Sequence, residues 1–172
     1  VFVDITRFMG VPEIDLFANR LNNQLPRYCS WKPDPGAEHF DALSIEWKDI
    51  FFYAFPPFSL ISRVLAKIER EGARGILVVP FWPTQNWFSK FTSMIISQPF
   101  VLFSRMLQPT LIHPWRQETE LPKNLRLLVA VVQARFSTVC RSDRKQETYF
   151  SPHGARARKI SMQDTSGNGV LQ

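Results

Sequence analysis

The sequence feature that most constrains the fold is a strand–helix–strand pattern between residues 50 and 80. Residues 50–55 are apolar and aromatic throughout, as in a strand that is covered on both faces, and two prolines end the run. Behind the prolines an apolar stripe recurs every three or four residues, which predicts a helix capped by Ser59 and ended by Gly72. Residues 75–80 are the next apolar run. This order predicts two parallel strands in one sheet, joined by a crossover helix.

Shorter patterns extend this unit in both directions. The predicted elements are helices at 2–9, 59–72 and 84–95, with Gly10 and Thr84 as end signals, and strands at 14–18, 50–55, 75–80, 100–103 and 125–132. The stretch 26–40 is predicted to be irregular because prolines interrupt it. Strands that alternate with helices predict the α/β class, here a Rossmann-like, mostly parallel sheet with helices on both faces. Ligands of such sheets bind beyond the carboxyl ends of the strands.

Basic residues are concentrated near the end of the sequence. The 172 residues suffice for one domain, and the net charge is +6. Residues 1–132 carry 14 Lys and Arg against 12 Asp and Glu, whereas residues 133–172 carry 7 against 3. We therefore predict a folded domain over 1–135 and a basic, disordered tail over 136–172. The tail residues predicted to contact nucleic-acid phosphates are Arg156, Arg158 and Lys159.

Several common kinds of functional site have no counterpart in the sequence. No run approaches the ~18 apolar residues of a membrane-spanning helix, and Cys29 and Cys140 are too few for a disulfide framework. The sequence contains neither a phosphate-binding G-x-x-x-x-G-K loop, nor G-x-G-x-x-G, nor a G-x-S-x-G elbow. Nothing resembles a signal peptide. We expect no membrane partner and an intracellular chain, nuclear or cytoplasmic, that is a piece of a longer protein.

A metal site is not predicted. The histidines His39, His113 and His153 lie far apart and beside no metal-ligand spacing. A loose acidic group remains as an alternative, because carboxylates hold the metal ion of nucleases, although a solvated loop has the same composition. Its members are Asp34, Glu38, Asp41, Glu46 and Asp49.

One group of residues matches a known catalytic pattern in part. It consists of Phe55, Pro56, Pro57 and Phe58, which lie at the end of a predicted strand and before a predicted helix. Enzymes that methylate exocyclic amino groups of bases have Asp, Asn or Ser here, then two prolines, then an aromatic residue. The polar residue and a backbone carbonyl accept hydrogen bonds from the amino group, and the aromatic ring stacks on the flipped base. Phe55 occupies the polar position, and its side chain accepts no hydrogen bond. A strand that two prolines end, with aromatic residues packed in the core, explains the same residues.

The motifs around this tetrapeptide resemble those of the phage-type, Dam-like DNA adenine methyltransferases. That family has, in order, a D-x-x-A strand end, a C-P-R-Y-F-like segment, D-A-L and N-P-P-Y. The matching residues here are 15–18, 25–28, 41–43 and 55–58. The resemblance implies that Asp15 and Ala18 lie near S-adenosylmethionine, and that Asp41 lies near the adenosyl part of this cofactor. It also implies that residues 55–58 are the catalytic tetrapeptide.

Four longer blocks are similar to DIRS-type retrotransposon polyproteins. They are P-E-I-D-L-F-A at 12–18, S-W-K-P-D-P-G-A at 30–37, Y-A-F-P-P-F-S-L-I at 53–61, and V-P followed by W-P-T-Q within 79–85. In those polyproteins this region, described as a Dam-like methyltransferase domain, lies between the RNase H and a tyrosine recombinase. The resemblance covers residues 1 to about 132. It implies DNA as a partner, together with the reverse transcriptase, RNase H and recombinase parts of the same polyprotein.

Three functional hypotheses follow. The first is a DNA adenine methyltransferase-like domain of a DIRS-type retroelement polyprotein, weak or inactive because of Phe55. The second is a non-catalytic nucleic-acid-binding or spacer module, in which exposed aromatics such as Trp82 and Trp87, together with the basic tail, hold single strands. Packing in the core is the alternative role of both tryptophans. The third is a nuclease that uses a divalent metal on the acidic loop.

Overall fold

The computed structural model describes residues 2–103 and 125–134, which form three α-helices and seven strands. The helices are α1 (Phe2–Met9), α2 (Ile61–Glu71) and α3 (Phe88–Met94), and a 3-10 turn at Phe58–Leu60 precedes α2. The strands are β1 (Ile14–Asp15), β2 (Cys29–Ser30), β3 (His39–Phe40), β4 (Phe51–Ala54), β5 (Arg74–Pro80), β6 (Phe100–Phe103) and β7 (Arg126–Gln133). The predicted α/β class is confirmed.

Five of these strands form the central sheet, in the order β1-β4-β5-β7-β6. Strands β1, β4 and β5 are parallel, whereas β7 is antiparallel to both of its neighbours. The short parallel pair β2 and β3 continues this arrangement beyond β1, because Asp15 and Tyr28 form a parallel bridge and the Ala18 N–H donates to the Cys29 carbonyl at 3.1 Å. The sheet is therefore mixed, and its parallel part carries β1 to β5.

Helices cover both faces of the sheet. Alternate residues of β5 point to opposite sides, so that Leu77 and Val79 belong to one apolar cluster and Ile76 and Val78 to the other. The first cluster includes the buried residues of α2 and α3, and the second includes those of α1. Burial of these two apolar layers is the main favourable contribution to the stability of the fold.

Two predicted helix ends are confirmed and two predicted caps are wrong. Gly10 and Gly72 follow α1 and α2 with positive φ angles of 94° and 66°, the left-handed conformation in which glycine commonly ends a helix. Ser59 does not cap α2, because the 3-10 turn after the prolines intervenes and the Leu60 N–H donates to the Pro57 carbonyl at 2.8 Å. Thr84 does not cap α3. Tight turns occupy residues 82–88, so α3 begins only at Phe88.

The predicted irregular stretch 26–40 contains β2 and β3, which the sequence did not indicate. Each strand has two residues, so neither is long enough to show an alternating pattern. The predicted tail at 136–172, with Arg156, Arg158 and Lys159, lies outside the described residues.

Candidate functional site

A cleft of about 260 Å³ opens at the carboxyl ends of β1 to β4. Its walls follow the strands in turn: residues 17–21 after β1, residues 30–35 after β2, Asp41 and Ala42 after β3, and Pro57 and Leu60 after β4. Clefts at this edge of an open α/β sheet are the usual ligand sites of such folds. Four separate loops therefore converge on one concave surface.

The cleft brings together residues from three of the predicted motifs. Ala18, Asp41 and Pro57 all contribute to its lining. Pro56 is buried, and neither it nor Phe55 or Phe58 is among the lining residues.

Asp15 lies beneath the cleft and supports its first wall. Its side chain is 3% exposed and accepts hydrogen bonds from the backbone N–H groups of Phe17 at 3.4 Å and of Gln24 at 3.1 Å. Burial raises the pKa of Asp15 to about 7, although these two N–H groups act in the opposite direction. The carboxyl group thus holds both ends of the loop 17–24, and it is not part of the cleft surface.

Asp34 joins the first and second walls of the cleft. Its carboxylate accepts hydrogen bonds from the backbone N–H of Arg20 at 2.9 Å and of Gly36 at 3.1 Å. These bonds, the Arg20 N–H first, and the Tyr28 hydroxyl keep the pKa of Asp34 below its ordinary value. From the sequence, Asp34 was predicted only as a member of the acidic group and of the block at 30–37. The signal it missed was P-D-P-G, in which an Asp side chain commonly accepts from the backbone two residues later.

Asp41 ends β3 with its carboxylate at the cleft. Its φ of 49° is in the left-handed region, which Asp and Asn adopt more readily than other non-glycine residues. One carboxylate oxygen accepts the Leu43 N–H at 3.0 Å, closing a tight turn. The other oxygen has no hydrogen bond among the described residues, so it can accept one from a ligand.

A buried cluster on α2 fixes the segment that carries Asp41. The Trp47 side chain donates to the Ala42 carbonyl at 2.7 Å, and its backbone N–H donates to Glu71 at 2.8 Å. Lys67 forms an ion pair with Glu71, and its ammonium group lies 5.2 Å from the centre of the Trp47 ring. The spacing of Lys67 and Glu71 on one helix face indicates in the sequence that they pair. No sequence pattern indicates that they also contact Trp47.

Aromatic rings form a row beside the cleft. The ring centres of Phe55 and Phe58 are 6.3 Å apart, and those of Phe58 and Trp82 are 5.0 Å apart. Trp82 is 38% exposed, as the second hypothesis requires. Trp87 is only 7% exposed, which contradicts the second hypothesis for this residue and confirms the alternative role, packing in the core. It directly precedes α3 and packs in the core with the buried residues of that helix.

Within the described residues, no three His, Cys, Asp or Glu side chains come together as metal ligands would. The carboxylates of the acidic group bind different partners rather than a common metal ion. Glu38 forms two hydrogen bonds with Arg27, at 2.7 and 2.8 Å, while Asp34 binds backbone N–H groups. The nuclease hypothesis therefore has no metal site in the part of the chain that the structure describes.

Comparison with known proteins does not identify the chain. No family model, curated protein or solved structure matches it. The described residues include no helix that is long and apolar enough to cross a membrane. Inference of function therefore depends on the geometry of the cleft and on the order of the motifs around it.

Proposed function

We propose that this chain is a DNA adenine methyltransferase-like domain of a DIRS-type retroelement polyprotein, with a Rossmann-like fold and weak or absent methyl transfer. The observation that carries the proposal is the convergence of Ala18, Asp41 and Pro57 on one cleft. These residues belong to three separate motifs of the resemblance and are up to 39 positions apart. Their meeting at the carboxyl edge of a partly parallel sheet supports a common ligand site.

The residues of the cleft fit S-adenosylmethionine. Phe17, Trp31 and Leu60 provide apolar surface for an adenine ring. Asp41 offers a carboxylate oxygen without a hydrogen-bond partner in the described structure, which suits a ribose hydroxyl. When bound, this cofactor would supply a methyl group on a positively charged sulfur. Asp15 and Asp34 would act indirectly, by holding the loops that form the walls.

Phe55 is the reason for proposing weak or absent transfer. In methyl transfer, the part of this chain would be to hold the amino nitrogen of adenine with its lone pair directed at the methyl group that the cofactor supplies. An acceptor at position 55 would direct the nitrogen lone pair, but the Phe55 ring packs against Phe58 instead. Loss of one such directed hydrogen bond typically costs about 3 kcal/mol of transition-state stabilisation.

We expect the full chain to bind S-adenosylmethionine and Asp41→Asn to bind it about tenfold more weakly, because a charge-assisted hydrogen bond becomes a neutral one. Asparagine tolerates the positive φ of this position and its amide oxygen still accepts the Leu43 N–H, so the loop should survive. Calorimetric titration measures both affinities.

Asp49→Asn is the matched control for this titration. Asp49 is the other described non-glycine residue with a positive φ, at 62°, and it is exposed and outside the cleft lining. We expect the Asp49→Asn variant to bind S-adenosylmethionine with the same affinity as the wild type. Absence of heat from a folded wild type, or equal weakening by the two substitutions, would contradict the proposal.

Replacing Phe55 by asparagine should raise methyl transfer to adenine-containing DNA by about tenfold or more over the wild type, since the missing acceptor is restored. Transfer of labelled methyl groups is the readout. Phe55→Leu removes the ring without adding an acceptor and is the control. Equal rates for the two variants, both folded and both binding the cofactor, would show that position 55 is not the missing catalytic group.

A second function, nucleic-acid binding without catalysis, is supported by Trp82, which is 38% exposed at the end of a row with the half-buried rings of Phe58 and Phe55. Aromatic side chains at an exposed edge are a surface on which bases stack, independently of sequence. Absence of cofactor binding in a folded chain would make this the leading function.

A further inference from the structure

Two cationic side chains lie at the cleft. Arg20 and Lys32 line it and are exposed. Neither guanidinium nor ammonium group makes a hydrogen bond or ion pair within residues 2–103 and 125–134. The charge of Arg20 helps to lower the pKa of Asp34, whose buried carboxylate already accepts two backbone N–H groups and contacts the Tyr28 hydroxyl. Arg20 thus attracts Asp34 without forming an ion pair with it, so both cationic groups can still contact a ligand.

An aromatic side chain lines the same cleft as these cations. Trp31 directly precedes Lys32, contributes to the same cleft and is 60% exposed. An indole ring at an open cleft is a surface on which a nucleobase stacks, and such stacking is typically worth a factor of ten or more in affinity. Asp41 supplies an acceptor in the same cleft for a sugar hydroxyl.

We propose that this cleft binds a phosphorylated nucleoside, with the base on Trp31 and the phosphate held by Arg20 and Lys32. The ligand chemistry is a base, a sugar and a phosphate. It is shared by a free mononucleotide and by one unit of a single strand. The inference goes beyond the proposed function and does not rest on methyl transfer. The two cationic groups would attract a phosphate, a group that S-adenosylmethionine lacks.

The test compares adenosine, adenosine monophosphate and a 5′-phosphorylated trinucleotide, each titrated into the full chain. We expect the monophosphate to bind at least about tenfold more tightly than adenosine at low salt, and this advantage to shrink as salt is added. The double variant Arg20→Gln/Lys32→Gln should bind both ligands equally, with the affinity for adenosine unchanged. Arg7→Gln/Lys48→Gln makes the same change in net charge at exposed positions outside the cleft and should retain the advantage.

Titration of the trinucleotide shows whether the ligand is a free nucleotide or one unit of a single strand. Tighter binding of the trinucleotide than of the monophosphate assigns a single strand, and equal binding assigns a free nucleotide. Equal affinity of the wild type for adenosine and the monophosphate, no detectable binding of the monophosphate, or the same loss in both double variants would overturn the inference. Nucleotide binding without S-adenosylmethionine binding would contradict the proposed function alone, whereas the converse would contradict this inference alone.

Discussion

Replacing Glu71 by alanine should lower the free energy of unfolding by about 3 kcal/mol or more. The side chains of Lys67 and Glu71 are only 6% and 14% exposed, so the substitution leaves a buried ammonium group without its carboxylate. It also removes the acceptor of the Trp47 N–H, a buried donor that then has no partner among its described contacts. Urea unfolding at neutral pH measures the change.

Glu69→Ala provides the control, because Glu69 lies on the same helix and also pairs with a lysine, Lys90, but at an exposed position. We expect that change to cost less than about 1 kcal/mol. The double variant Lys67→Met/Glu71→Gln removes both charges and keeps an acceptor for Trp47, so it should recover most of the stability. An equal loss of unfolding free energy for Glu69→Ala and Glu71→Ala would mean that burial of the Lys67–Glu71 pair does not determine the cost of breaking it.

The stability of the wild type should fall relative to Asp15→Asn by about 2–3 kcal/mol between pH 5 and pH 8. The pKa of Asp15 is raised by burial from 3.8 to about 7 in the folded state. The folded chain therefore binds this proton more tightly than the unfolded chain does. The stability that this proton contributes is fully present below about pH 4 and is lost as the pH rises through 7. Asparagine does not titrate and lacks this slope.

The neighbours of Asp15 do not titrate in this range. Burial raises the pKa of the Cys29 thiol to about 12 and that of the Tyr53 hydroxyl above its ordinary value, so both stay neutral between pH 5 and 8. Urea unfolding of both proteins across the range gives the difference directly. Parallel stability curves would show that Asp15 is ionised in the folded state throughout, and that the loop 17–24 is held by a carboxylate.

Periodicity was sufficient to predict most of the sheet and both glycine helix ends. The apolar runs at 75–80 and 100–103 became β5 and β6: six of the seven residues of β5 are buried, whereas β6 buries only Leu102 and forms the edge of the sheet beside β7. Cap positions were predicted less well. Ser59 and Thr84 have the residue type of a helix cap, but backbone hydrogen bonds in the preceding turns determine where α2 and α3 begin.

The cleft was predicted in part, since the motifs identified Ala18, Asp41 and Pro57 but not what holds them. Asp34 binds Arg20 across 14 positions, and Glu71 binds Trp47 across 24. Hydrogen bonds of this range leave no periodic signal in a sequence. The roles of Trp31 and Lys32 were likewise not evident, because exposure at a concave surface depends on loops that meet only in the folded chain.

The strand order has a consequence for synthesis on the ribosome. Strand β7, the last strand described, lies between β5 and β6, which are both made before it. Until β7 leaves the ribosome, one edge of β5 lacks its partner, and β6 has no neighbour in the sheet at all. Unpaired edges of this kind favour association between nascent chains. We therefore expect association between nascent chains to be strongest in the interval between the emergence of β6 and that of β7.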